Sequence, residues 1–132
     1  AATPSAQEAT AVTEAATTPL MTTTIDQMPA APLTVRLLRI TLQPGASVPM
    51  HTHPGPEFDR VESGTLTVTS QGTALVHRAA DGEPEELADT TTTLDPNQWI
   101  LFPAEVGMNL ANEGTEPVNL LSAVILPVGA DA

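Results

Sequence analysis

His51 and His53 stand one residue apart, and Glu57 follows the second of them by four positions. Imidazole nitrogens and carboxylate oxygens are the donors that hold divalent transition metals. Two histidines and one carboxylate, with coordination positions left open, make the facial arrangement used for divalent iron and its neighbours. The local sequence permits that geometry. On an extended strand, side chains two apart point to the same face, so His51 and His53 can converge. Pro54-Gly55-Pro56 then forces a bend, because two prolines around a glycine cannot continue a ladder. Glu57 begins the return segment and can fold back beside the imidazoles, which predicts a metal site held on a β-hairpin. The other reading of His-x-His is two satisfied polar residues on a strand.

The elements that must position these donors read as strands. Leu33, Val35 and Leu37 alternate with polar residues, then Leu38, Ile40 and Leu42 do so one step out of phase. That slip predicts a β-bulge or a strand buried on both faces. Further strands are expected over 47–53, 57–62, 65–69 and 74–78, with turns at Gln43-Pro44-Gly45, Ser63-Gly64 and Ser70 to Gly72. Residues 79–90 are acidic and broken by Gly and Pro, so they read as a surface loop. Strands resume over 91–94, 98–102, 108–110 and 118–126. Many short strands with regular turns and no convincing helix indicate an all-β antiparallel barrel or jelly roll. Strand parity nominates Val35, Val61, Leu66, Val68, Leu101 and Leu110 for its apolar wall.

Gly45, His51, His53, Glu57 and Gly64, at their spacings of five, one, three and six intervening residues, resemble the first motif of the cupin superfamily. The resemblance covers residues 33–127 and implies a double-stranded β-helix, the cupin jelly roll, preceded by a mostly irregular segment 1–32 and followed by a short tail, 128–132. It implies His51, His53 and Glu57 as ligands of one divalent transition metal: Cu, Fe, Mn or Zn. The family's looser second motif fits in the register Asn97, Pro103, Glu105, Met108 and Asn112. Pro103 and Asn112 match. Asn97 and Glu105 replace glycines, and Asn tolerates the left-handed conformation better than most residues, whereas Glu105 is expected to alter its turn. Met108 stands where the resemblance implies a third histidine ligand. A thioether is a soft, weak donor suited to copper, and methionine is also a common core gap-filler, so ligation and apolar lining both stay open.

Asp59 lies two residues after Glu57 and shares its inward face by parity. It is the candidate catalytic acid/base, or a partner to a ligating histidine. A carboxylate inside a barrel must be paired, hydrated or metal-linked. Since most carboxylates reach solvent, the expectation is a position near the barrel mouth in water or against an arginine. His77 reads as a surface or rim residue, and Trp99 and Phe102 as fillers of the core or of a subunit interface.

Composition narrows the function classes. Sixteen acids against four arginines and no lysine leave a formal charge of −12, which argues against nucleic acid and anionic membrane surfaces as partners. No cysteine is present, so disulfides, thiolate metal sites and cysteine nucleophiles are excluded. No apolar run approaches the ~18 residues that span a bilayer. Residues 1–32 are Ala, Thr and Pro with scattered acids, too polar for a core. Small residues at the start read as the remnant of signal-peptide cleavage, with the first ~20 residues a mobile tether on an exported protein; the other reading is a trimmed cytoplasmic chain. Residues 21–28 can pair as an edge strand or cross to a neighbouring subunit. The expected function is a metal-binding cupin, either a dioxygenase- or isomerase-like enzyme acting on a small molecule or a non-catalytic binder of a metal or small ligand outside the cytoplasm. The resemblance and the need to cover an exposed sheet edge imply a homodimer.

Overall fold

Period-two alternation carries the chain through ten strands. They are β1 (Leu33–Leu42), β2 (Ser47–His51), β3 (Glu57–Ser63), β4 (Leu66–Gln71), β5 (Thr73–His77), β6 (Glu85–Ala88), β7 (Thr91–Leu94), β8 (Trp99–Phe102), β9 (Gly107–Ala111) and β10 (Val118–Pro127). The described residues of this computed structural model are 15–130. Residues 1–14 of the expected tether of about 20 and the last two residues of the tail lie outside the described residues, whereas Thr18, Pro19 and Leu20 lie beside Arg60, Arg78 and Asn97. No helix among the described residues is long and apolar enough to cross a membrane.

All pairings are antiparallel. One sheet has six strands in the order β1-β10-β3-β8-β5-β6, the other four in the order β2-β9-β4-β7. Their inner faces meet in a mostly aliphatic core that includes Val61, Leu66, Val68, Leu110, Leu120 and the aromatic Phe102. The all-β jelly roll read from the sequence is the observed fold.

Several local expectations are corrected. β1 pairs with β10 without a register shift from Leu33↔Pro127 to Leu42↔Val118, so the phase slip makes no bulge. The strand instead turns its inward face to Leu38, Ile40 and Leu42, and Val35 and Leu37 are left 65% and 69% exposed on the outer face. Val35 is therefore no part of the barrel wall. Leu101 is buried, but on the outer face: it opposes Phe58 and Leu75 in register and lines a cavity of about 230 Å³ with Thr24 to Gln27. The acidic loop contains a strand. β6 pairs along β5, where Leu87 is buried opposite Ala74, and one apolar side chain at the right parity outweighs the acids around it.

Residues 15–32 form no strand and cross the outer face of the six-stranded sheet. Thr23 Oγ1 lies 3.0 Å from His77 Nε2, and His77 is buried beneath this segment. The surface reading of His77 fails because the segment supplies the burial. Desolvation holds its imidazole below the ordinary histidine range.

Phe102 and Leu37 test the two faces of the sheet. Phe102→Ala is expected to cost about 3–5 kcal/mol of unfolding free energy, and Leu37→Thr less than about 0.5 kcal/mol, measured by denaturant titration at a protein concentration too low for chains to associate. Equal losses would mean that the outer face is as tightly packed as the core.

Candidate metal centre

The position of the first candidate donor, His51, depends on a local irregularity in β2. Val48 opposes Leu110, but His51 opposes Met108, so β2 carries one more residue than β9 between those pairs. Without it Met50 would share Val48's inward face and His51 would point away. The bulge reverses that parity at Pro49, a residue that cannot donate to a ladder. It also supplies an acceptor: His51 Nδ1 lies 2.8 Å from the Pro49 carbonyl oxygen. A carbonyl only accepts, so Nδ1 carries the proton and Nε2 presents its lone pair.

The next ligand sits in the crossing between sheets. β2 and β3 lie in different sheets, so the expected hairpin is replaced by a passage over Pro54-Gly55-Pro56. A Cβ on Gly55 would collide with the carbonyl oxygen of Ile125, which is why a glycine stands between the prolines. His53 precedes this passage, and its carbonyl accepts the Glu105 N–H at 2.8 Å. Glu57 opens β3 on the inward face, opposite Val124 and Phe102.

The three side chains converge. His51 Nε2 and His53 Nε2 are 3.0 Å apart, and His53 Nε2 is 3.0 Å from Glu57 Oε1. One donor atom from each residue lies within 4.8 Å of the other two. His53 and Glu57 are buried and His51 half-buried. Burial, with the neighbouring His51 adding to it, holds the His53 imidazole below its usual range, so it is neutral and able to coordinate. These donors fit a divalent cation, because two imidazole nitrogens and a carboxylate oxygen face one point.

Asp59 is placed where the sequence argument did not expect it. It shares Glu57's inward face, as parity required, but it is fully buried and neither in water nor paired with an arginine. Both its oxygens and the Oγ of Ser122, directly opposite on β10, lack a hydrogen-bond partner. Burial raises the Asp59 pKa above the ordinary carboxylate range. Burial, reinforced by the neighbouring Asp59 carboxyl, pushes Glu57 up to about 10. A bound cation would reverse this for Glu57 and draw off its proton.

A cavity of about 160 Å³ opens in front of His51, His53 and Glu57, walled by Leu38, Ile40, Val48, Leu110 and Val124 with Ser122. The larger cavity beneath residues 24–27 holds none of these ligands, so the chemistry locates the site and size does not.

The second motif keeps its turns despite its substitutions. Asn97 and Glu105 adopt φ of 72° and 66°, the left-handed conformation that the replaced glycines would take freely. Glu105 therefore preserves its turn where alteration was expected, held by its bond to His53. Asn112 is structural: its amide donates to the Leu42 and Glu116 carbonyls at 2.9 and 2.7 Å. Met108 opposes His51 in register, as the motif requires, and is buried in the hydrophobic core. Sequence reasoning missed the bulge and Ser122. Pro49 inside a strand was the signal for the first; the second is a lone serine among apolar residues and gave none.

A two-sheet antiparallel jelly roll with two histidines and a carboxylate gathered between its sheets is a barrel with a candidate metal centre. The family model for the cupin domain matches residues 38–124, and the chain belongs to the cupin family. No curated protein matches the chain. Among solved structures, oxalate decarboxylase from Lactobacillus farciminis, in a formate complex, is similar at 22% identity and a TM-score of 0.53, over 72% of this chain and 25% of that one. A cupin superfamily protein from Desulfitobacterium hafniense is similar at 14% identity and a TM-score of 0.54, over 80% and 84% of the two chains. Bacillus subtilis oxalate decarboxylase, a protein with Mn(II) centres, is similar at 25% identity and a TM-score of 0.50, over 69% of this chain and 21% of that one. This chain thus spans about a quarter of the decarboxylases it resembles.

The raised Asp59 pKa has a definite sign. In the unfolded chain an aspartate loses its proton near pH 4, whereas buried Asp59 keeps it. Metal-free protein therefore loses stability from this residue as pH rises above about 4. Asp59→Asn is expected to stabilise metal-free protein by about 1–3 kcal/mol at pH 7, with the gain vanishing towards pH 4, as read by denaturant titrations across that range. A variant equal to or weaker than wild type at pH 7 contradicts the buried-acid reading.

Proposed function

We propose that the protein binds one divalent transition metal through His51, His53 and Glu57 and uses it on a small molecule, as a dioxygenase-like oxidoreductase. The observation that supports this most is the convergence of three donors, with the nitrogen of His51 freed by its bond to Pro49. A metal held there supplies Lewis-acid polarisation or activation of dioxygen. The chain's own residues set the conditions. His51 is oriented by Pro49, His53 is held at its backbone by Glu105, and Glu57 contributes the only charge among the three ligands. The aliphatic side chains around the cavity limit water beside the centre and strengthen electrostatic interactions there. Asp59 is placed to hold a proton behind Glu57, out of contact with solvent.

One observation favours a second reading, a non-catalytic cupin that binds a metal or small ligand. Met108 occupies the position of a further histidine and packs in the core, so the centre has one strong donor fewer than the family motif implies. The structural likenesses to oxalate decarboxylases lend no substrate to this chain.

The first test is elemental analysis of full-length protein purified without chelator, with His51→Ala and Met108→Leu as variants. Near-stoichiometric metal in wild type, lost in His51→Ala and kept with an unchanged spectrum in Met108→Leu, is the expected pattern. Wild type that holds none of Cu, Fe, Mn or Zn after reloading overturns the metal centre.

We further infer that the outer face of β1 joins two copies of the chain, since Val35 and Leu37 stand exposed beside Ile125 and Ala123 on a sheet edge. Sedimentation at micromolar concentration is expected to give a dimer that Leu37→Arg dissociates; a wild-type monomer refutes it.

A further inference from the structure

Positive charge is scarce in this chain, and its four arginines are not equivalent. Arg39 pairs with Glu62. Arg78 pairs with Glu85 and donates to Thr92, Thr93 and Gln98. Arg60 donates to Asn97 and lies over the Trp99 ring. Arg36 alone makes neither a hydrogen bond nor an ion pair with any described side chain or carbonyl.

Its place in the sheet is informative. Arg36 opposes Val124 on β10, and Val124 opposes Glu57 on β3. Directly opposed residues carry their side chains on one face, so Arg36 belongs to the same cross-strand row as Glu57. It stands two strands away, about 10 Å between backbones. The side chain between them, Val124, lines the cavity, and so does Leu38, the next residue of β1 on that face. Arg36 is exposed and therefore open to a ligand from solvent. Within the cavity the walls beyond the three donors are aliphatic, with Ser122 the exception, and Glu57 is the only acidic group of the lining.

Resting on the metal reading above, we propose that Arg36 is the specificity-determining residue of the centre and selects a small aliphatic acid. The guanidinium takes the carboxylate end through the paired N–H donors that match its two oxygens. The aliphatic body lies along Val124 and Leu38. Oxygen donors at the other end meet the positions that His51, His53 and Glu57 leave open. Arg36 stands outside the cavity lining, two strands from Glu57, so a compact dianion held at the three donors would not span that distance, whereas a longer acid would. The recognised class is thus a monocarboxylate carrying a separate oxygen donor group several carbons away.

The test uses the full chain loaded with Co(II), whose visible spectrum reports added ligands. Two probes share a chelating head and chain length: succinate monohydroxamate, with a carboxylate tail, and butyrohydroxamate, with a methyl tail. Wild type is expected to bind the carboxylate-tailed probe at least about tenfold tighter. Arg36→Gln should abolish that preference, Arg36→Lys should keep part of it, and neither should change Co(II) content or affinity for butyrohydroxamate. Equal affinities in wild type, a preference that survives Arg36→Gln, or no spectral response to either probe overturns the inference while the metal centre stands. Failure of wild type to take up Co(II), or any of the metals tested above, overturns the metal reading and this inference with it.

Discussion

Polar groups enclosed in an aliphatic barrel are the constraint on which the rest of this structure turns. His53, Glu57, Asp59 and Ser122 are all buried, and bulk water cannot solvate them. Isolated, such groups disfavour folding, and they do so most when charged. Neutral forms offset part of that cost: the carboxyls rise above their ordinary range and keep their protons, and the His53 imidazole falls below its own and sheds one. A cation between the imidazoles and Glu57 would offset it differently, by replacing protons with a charge that all three donors face. The same arrangement thus explains why a metal would fit there and why burial alone favours the neutral form of each group.

Two backbone devices bring that cluster together, and each depends on sheet geometry. The extra residue in β2 changes parity just before His51, so an imidazole that alternation would send outward comes in. The crossing at Pro54-Gly55-Pro56 carries the chain from one sheet to the other, close against β10. His51 and Glu57 therefore approach from facing sheets, and the centre lies at the seam of the barrel. The turn at Glu105 completes the frame by binding the His53 carbonyl. A non-glycine residue in left-handed conformation there is disfavoured by roughly 1–2 kcal/mol, which the surrounding pairing must outweigh.

The two faces of the six-stranded sheet serve different ends. Its inner face supplies Glu57, Asp59, Ser122 and the cavity walls. Its outer face is covered over β5 and β8 by residues 15–32, which enclose His77 and Leu101, and is left open at β1. His77 and Trp99 thus belong to the outer face of that sheet, with His77 buried there beneath the N-terminal segment.

The donors, their spacing and the jelly roll were legible in the chain, because a period of two and a fixed motif are local properties. Gly45, Gly64 and the His-x-His with Glu57 declare themselves without neighbours, and Glu57 and Asp59 had to share a face. What no local pattern could decide was which residues another strand would cover. Val35 and Leu37 have the same chemistry as Ile40 and Leu42, yet only partners in the second sheet bury the latter pair. Leu87 reads as part of an acidic loop until β5 accepts it. Asp59 reads as a solvent-seeking acid until Ser122 and Ile100 close around its strand. Sequence by itself determined most of the strands and the candidate donors His51, His53 and Glu57, since those follow from side-chain type and alternation. Tertiary structure decided burial, the parity at His51 and the meeting of two sheets at the centre, because each depends on contacts between residues far apart in the chain.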